Sequence, residues 1–275
     1  MLGKLFGNKS ASLPPPEPGP QIGMLALKSG KGLNPPAICA AWEKLFPKQS
    51  PLADRGAIKK DGQAVAEFAI DGRTLMLAAM PMPIPQGDID FACRGSWMWP
   101  TAATEMKAQR AHAVALTAPA NDPVGEAMAL SRLIAAAATA GDPAGVYWGN
   151  GGMVHKPELF IDAVKSFDGD EDGGALPVVV WIGVNISADN PRGPFTLSTR
   201  GFNAFGHKEL EVLETRMPIG DLRTLVYDIS MYLLRSGPVL KHNDTFGRTA
   251  TERMRVEHTT SKFRKNEPVI RLHIA

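Results

Sequence analysis

The glycines of Gly145-Val-Tyr-Trp-Gly-Asn-Gly-Gly152 follow an apolar run and precede a helix start. Backbone N–H groups in such a place can approach a phosphate closely. The spacing fits neither GxxxxGK[ST] nor GxGxxG, and Lys31, in Ser-Gly-Lys-Gly, lacks the upstream glycine of a P-loop. Turn glycines are the plainer account. The six histidines, His112, His155, His207, His242, His258 and His273, show neither HxH nor HxxxH spacing. The run Asp168, Asp170, Glu171, Asp172 suggests calcium only superficially, because the twelve-residue loop pattern and its terminal bidentate Glu are missing. It reads as a solvated acidic loop. His242-Asn-Asp244 offers polar groups, but Lys241 beside them opposes a cation. No metal and no cofactor are expected.

Nucleophilic catalysis is not signalled either. There is no GxSxG elbow. Cys39 lies in the apolar helical context Ala-Ile-Cys-Ala-Ala-Trp, which raises a thiol pKa, and Cys93 has Arg94 beside it but no accompanying base. Asp88 with Asp90, and Glu209 with Glu211, would each share one face of a strand, and a charged exposed face explains both pairs. Every catalytic constellation is incomplete, so a binding protein is expected rather than an enzyme. The rival reading is a small-molecule enzyme with its site at the Gly145–Gly152 turn and His155.

Two surfaces suit binding. Trp97 and Trp99 point the same way if the chain is extended there; otherwise they are satellite core. The C-terminal strip Arg248, Arg253, Arg255, Lys262, Arg264, Lys265 and Arg271 outweighs Glu252, Glu257 and Glu267. On a strand, Arg253, Arg255 and Glu257 share one face and Met254, Val256 and His258 the other, as a solvated strand or a charge-reading interface would. The candidate partner-contacting residues are Asp168, Asp170, Glu171, Asp172, Trp97, Trp99, Arg253 and Arg255.

The elements that must position these groups are legible from periodicity and punctuation. Five prolines in positions 14–20 make residues 1–22 a proline-rich tail that favours extended polyproline conformation. Leu2, Leu5 and Phe6 give it a short apolar start; the tail serves either as a partner-binding or membrane-touching end or as a frayed, semi-rigid linker dispensable for folding. Strands are expected at Met24–Lys28, Val65–Ala69, Thr74–Met80, His112–Thr117, Gly145–Trp148, Val178–Ile186, Phe195–Phe205, Glu209–Glu214, Arg253–His258 and Val269–Ile274. Helices are expected from Asn34 to Phe46, from Pro100 to Arg110, from Asp122 to Ala140, from Pro157 to Phe167 and from Asp221 to Arg235. Asp71-Gly72 is a hairpin turn signal.

That order reads as β-α-β-β-α-β written twice. It predicts an α+β fold of two ferredoxin-like units, 23–120 and 142–275, joined by a linking helix at 121–141, with antiparallel sheets and helices on one face. The hairpins argue against a doubly wound parallel sheet.

Composition bounds the rest. The 275 residues carry 30 Lys+Arg against 28 Asp+Glu, and 44% are hydrophobic, so the chain is globular and near neutral. That excludes nucleic-acid binding by bulk charge, though not by a local patch. Two cysteines cannot build a disulfide scaffold or a four-cysteine zinc site. The first nine residues hold no apolar run of about 7–15 residues, and no stretch approaches the about 18 of a membrane helix. A cytoplasmic protein with no membrane span is expected.

The chain resembles a bacterial domain family of unknown function that occurs beside polymorphic-toxin and type VI secretion effector genes. The stretches that carry the resemblance are Ala79-Met-Pro-Met-Pro-Ile-Pro85, Trp97-Met-Trp-Pro100, His112-Ala-Val-Ala-Leu116, Gly145-Val-Tyr-Trp148, Thr245-Phe-Gly247 and Glu257-His-Thr-Thr-Ser261. They span about residues 24 to 275 and define shape rather than catalysis. The resemblance implies an α+β domain and an immunity role: binding a cognate toxin, such as a nuclease effector, and blocking it. It brings no catalytic residues. A scaffold for secretion machinery, using the Pro14–Pro20 tail, is a further alternative.

Overall fold

The computed structural model describes residues 14–30, 33–60, 63–118, 121–168, 175–247 and 253–274. The first half runs β1 (Ile22–Leu27), α1 (Pro35–Leu45), β2 (Ala53–Lys60), β3 (Gln63–Ile70), β4 (Arg73–Met80), α2 (Gln86–Gly95), α3 (Ala102–Glu105), β5 (Ala111–Thr117) and α4 (Pro123–Ala140). It continues with β6 (Pro143–Trp148), β7 (Met153–His155), α5 (Pro157–Asp168), α6 (Val178–Trp181), β8 (Gly183–Ser187), β9 (Phe195–Arg200) and β10 (Glu209–Thr215). The chain ends with α7 (Ile219–Ser236), β11 (Thr245–Phe246), β12 (Met254–Thr260) and β13 (Pro268–Ile274), and short 3-10 turns occur at Met106–Ala108 and Phe202–Phe205.

Local chemistry explains the elements that were legible. Asp71 and Gly72 both take positive φ, 47° and 77°, the geometry of a tight hairpin turn between β3 and β4. The Asp122 carboxylate accepts the Gly125 N–H at 2.9 Å and Pro123 occupies the first turn, so α4 starts where it should. Leu222, Leu225, Val226, Ile229 and Leu233 form the buried stripe of α7.

The fold is α+β, with two largely antiparallel sheets. The first has seven strands in the order β2-β3-β4-β5-β1-β6-β7, with every neighbouring pair antiparallel. The second has six, β11-β12-β13-β10-β9-β8, in which β10 and β13 run parallel. One split β-α-β arrangement is present in the first sheet, where β5 and β6, joined through α4, run parallel on either side of β1. It sits within a seven-stranded sheet, so the order does not establish two separate ferredoxin-like units. β6 and β7 also pair within the first sheet, so the sheet boundary falls after residue 155 and not at 141/142.

Helices cover both faces of the first sheet rather than one. Leu25 and Leu27 of β1 join the main core with α1, α4 and α5, whereas Ala26 joins a second cluster with Ile89 and Ala92 of α2 and with Trp99 and Met106. Strand alternation sends successive residues of β1 to opposite layers, and here both layers are filled. α4 ties the halves together. Ser131 Oγ donates to Ala127 O at 2.7 Å and accepts Trp181 Nε1 at 2.8 Å.

Other expectations are corrected. Val178–Ile186 is one helical turn, α6, followed by β8. Trp181 stacks on Trp148 at 6.4 Å and meets Phe205 at 5.6 Å, and this packing overrides β propensity. The stretch after Pro100 forms only α3 and a 3-10 turn, while α2 was not foreseen. Of the proline-rich tail, residues 16–21 lie against a cleft and the Gly206 turn, and Leu2, Leu5 and Phe6 lie outside the described residues. Gln21 is buried, its side-chain amide donates to Ala204 O at 3.1 Å, and Pro20 O accepts from Asn150 at 3.2 Å. Among the described residues no helix is long and apolar enough to cross a membrane.

Candidate functional site

Where the sheets meet, three glycines allow backbone to touch backbone. A Cβ on Gly183 would lie 2.2 Å from Gly151 O, one on Gly151 2.6 Å from Trp181 O, and one on Gly201 2.7 Å from the same carbonyl. The Gly149–Gly152 turn is thus part of a weld. Gly149 N–H donates to Ile22 O, Gly152 N–H donates to Trp148 O, and the Asn150 side chain bridges Ile22 N and Pro20 O. Gly145 is required by Met106 and Trp99, which would meet a Cβ at 2.3 and 3.1 Å. A phosphate cradle is not what these glycines form.

A cleft of about 1050 Å³, lined by both apolar and polar side chains, opens beside the weld. The Pro16–Pro20 strap lines it, with β9, the Phe202–Phe205 turn and the loop from 261 to 267. At its base is Glu209, fully buried. Its carboxylate accepts from Thr199 Oγ1 at 2.7 Å, from Gly201 N at 2.9 Å and from Asn203 N at 3.2 Å. Burial nevertheless raises its pKa, against the pull of these donors and of Arg264. Arg264 donates to Thr199 O at 3.0 Å and pairs with Glu267, which also accepts from Asn203 Nδ2 at 3.1 Å. These groups brace one another. Arg200, exposed and lying along Gly152, lines the cleft together with the aromatic rings of Phe91 and Phe263, which are 49% and 50% exposed.

Glu211, two residues along β10, is buried as well, so the Glu209/Glu211 pair forms an interior face and not a charged exposed one. β10 lies between β9 and β13, and the loop at 261–267 covers this face through bonds from Ser261 and Lys262 to Glu211. Asp88 and Asp90 are exposed on α2, not on a strand.

The residues singled out in the sequence are dispersed. Asp168 ends α5; its side chain and the whole of Asp170, Glu171 and Asp172 lie outside the described residues. Trp97 is 41% exposed, with the Arg223 guanidinium of α7 4.4 Å from its ring centroid. Trp99 is only 4% exposed and donates its indole N–H to Glu105 at 3.1 Å, so it is core and no anchor for a partner. A turn at residues 97–98 sends the two rings to different places. Arg253 and Arg255 are exposed, and Met254 and Val256 face inward, as alternation predicts. No described contact joins Trp97 to this strand. Cys39 and Cys93 are free thiols whose pKa burial raises.

Sequence reasoning missed Phe91, Phe263, Arg200 and the bracing role of Glu209. The Glu209/Glu211 alternation was visible, but only the sheet order shows that β10 is central. Among the described residues no group of three or more His, Cys, Asp or Glu could hold a metal ion.

His155 is buried against Phe160, at 5.9 Å between rings, and burial lowers its pKa from the usual 6.5 to about 4. The native imidazole stays neutral at pH values where the unfolded chain takes up a proton. Its contribution is therefore complete above about pH 6.5 and is lost as pH falls toward 4, by about 3 kcal/mol. Urea unfolding at pH 7, 5.5 and 4.5 should show this decline, and His155→Leu should flatten it; equal slopes would contradict the assignment.

No curated protein and no solved structure matches the chain. A family model described as a domain of unknown function (DUF4261) matches residues 198–273. Over that segment, which supplies Arg200, Glu209, Phe263 and Arg264 to the cleft, the chain is similar to that family of unknown function.

Proposed function

We propose that this protein is a non-catalytic binding protein that captures a cognate bacterial toxin, a nuclease effector of type VI secretion being the expected class, and neutralises it in the cytoplasm. The supporting observation is the pairing of exposed aromatic rings with arginines. Trp97 carries Arg223 at 4.4 Å, Phe91 has Arg94 at 5.9 Å, and Phe263 adjoins Arg264 at the cleft. Aromatic and arginine side chains are the commonest anchors of protein interfaces, and their stems are already ordered by stacking. The resemblance described above supplies the toxin as the partner.

Trp97→Ala and Phe91→Ala should each speed dissociation of the complex at least tenfold, measured by surface plasmon resonance. Each change also removes the buried half of a ring, so urea unfolding should show a loss of about 1–2 kcal/mol that leaves the fold intact. Unchanged dissociation in both variants would remove the aromatic face from the reading. Converting Asp168, Asp170, Glu171 and Asp172 to amides should slow association with a basic toxin cleft, by a factor that shrinks as salt rises.

A further inference from the structure

Three side chains on one face of the second sheet reach the cleft with their polar groups free. Ser198 and Arg200 lie two apart on β9 and share a face, and Asn185 of β8 stands directly opposite Ser198. Among the described residues, none of these three side chains has a hydrogen-bond or ion-pair partner. Arg200 is exposed, and Asn185 and Ser198 are half-buried, so all three are open to a ligand. Opposed residues of an antiparallel pair have Cβ atoms about 5 Å apart, and residues two along a strand lie about 7 Å apart. One small group can therefore touch all three at once.

Other polar groups of the lining are engaged. Asn150 bridges Ile22 N and Pro20 O, Arg264 pairs with Glu267, and Glu209 accepts from three donors. The unengaged groups are donors around one positive charge, and they call for an oxyanion. A guanidinium fork meets a carboxylate through two parallel bonds. Charge decides between a carboxylate and a phosphate. Glu267 offsets Arg264, and the lining also holds Glu17 and the buried Glu209. A phosphate dianion, or a nucleic-acid strand with a charge on every nucleotide, would bring more negative charge than Arg200 can offset beside these carboxylates. A single carboxylate matches the one free guanidinium.

The walls say what accompanies it. Phe91 comes from α2, whose Gly95 lies against Asn185 of β8. Phe263 comes from the loop fastened to Glu211 of β10, and β9 runs between β8 and β10. The two exposed rings thus flank the Ser198–Arg200 row from opposite sides. A cleft of about 1050 Å³, bordered by the Pro16–Pro20 strap, has room for a peptide segment as well as the carboxylate.

We propose that the cleft captures an acidic side chain of a partner protein, its carboxylate forked by Arg200 and bonded by Asn185 and Ser198, with apolar neighbours on the partner's chain against Phe91 and Phe263. This deepens the reading of the chain as a binder of another protein and rests on it for the source of the carboxylate.

Titration of the full chain with N-acetyl-Phe-Glu-Phe-amide, followed by protein NMR and calorimetry, tests this. The Gln and phosphoserine counterparts of the peptide and free 3-phenylpropionate are the comparisons. At about pH 7.5, where phosphoserine is a dianion, the Glu peptide should bind about tenfold or more tightly than each of the three. Arg200→Gln should remove the preference for Glu over Gln, and Arg200→Lys, which keeps the charge without the fork, should reduce it. Asn185→Ala and Ser198→Ala should each weaken the Glu peptide by about threefold or more. None of these side chains is core, so the variants keep the fold. Absence of Glu-peptide binding up to about 10 mM, tighter binding of the phosphoserine peptide, equal affinity for 3-phenylpropionate, or an unchanged preference in Arg200→Gln would overturn the proposal. No toxin enters this titration, so its failure is distinct from a failure of rescue in co-expression, which bears on the toxin reading alone.

Discussion

Removing either member of the Glu211–Arg271 pair should destabilise the protein by about 3–5 kcal/mol, whereas removing both should cost far less. Glu211 is fully buried and accepts from Arg271 Nη2 at 3.1 Å, from the Ser261 hydroxyl and from Lys262 N at 3.3 Å. Arg271 also donates to Thr260 O at 3.0 Å and lies 3.7 Å from Glu257. The pair fastens the 261–267 loop to the centre of the second sheet, and that loop carries Phe263 and Arg264 into the cleft. In Glu211→Leu a buried guanidinium keeps only its weaker partner; in Arg271→Met a buried carboxylate keeps only neutral donors. The double variant leaves no orphaned charge. Urea unfolding of the four proteins should give a coupling of about 2 kcal/mol or more. Additive losses would show that the two side chains act separately.

Gly183→Ala should cost about 3 kcal/mol or more, and Gly220→Ala should stabilise by about 0.5–1 kcal/mol. The contrast isolates the weld. At Gly183 the added methyl would meet the Gly151 carbonyl oxygen at 2.2 Å, and neither atom can rotate away because both belong to backbone. The sheets would have to separate. Gly220 sits in the first turn of α7 with nothing within 4 Å of its Cβ position, so alanine there brings only helix propensity and a less flexible unfolded chain. A thermal midpoint for Gly183→Ala within a degree or two of the parent would mean that the sheets do not meet as described.

The sequence announced elements whose signals are local. Asp71-Gly72, Asp122-Pro123 and the stripe of α7 need no knowledge of the rest of the chain. β2 escaped because it is an exposed edge strand bent at Gly56, with φ 86° and a register shift, so no alternation survives. α6 was read as a strand because a short apolar run looks alike in either state, and only contacts with Trp148 and Phe205 decide.

The site was less legible still. Its residues gather from α2, the Asn150 turn, β9 and the 261–267 loop, and only sheet order brings them together. The stretches that carry the family resemblance do structural work where their contacts are known. His112 Nδ1 meets Met82 O at 2.6 Å, Ile84 N donates to Gln109 at 3.1 Å, and Ser261 bonds Glu211. Such residues mark a fold without marking what it binds.

The central claim is neutralisation by stoichiometric binding. It is tested most directly by co-expressing this protein with a candidate nuclease toxin of type VI secretion, scoring survival and purifying what associates. The account predicts rescue by the parent protein, a one-to-one complex, and rescue weakened by the double change Phe91→Ala, Trp97→Ala. Equal survival with and without this protein, with no complex recovered, would contradict immunity toward that toxin.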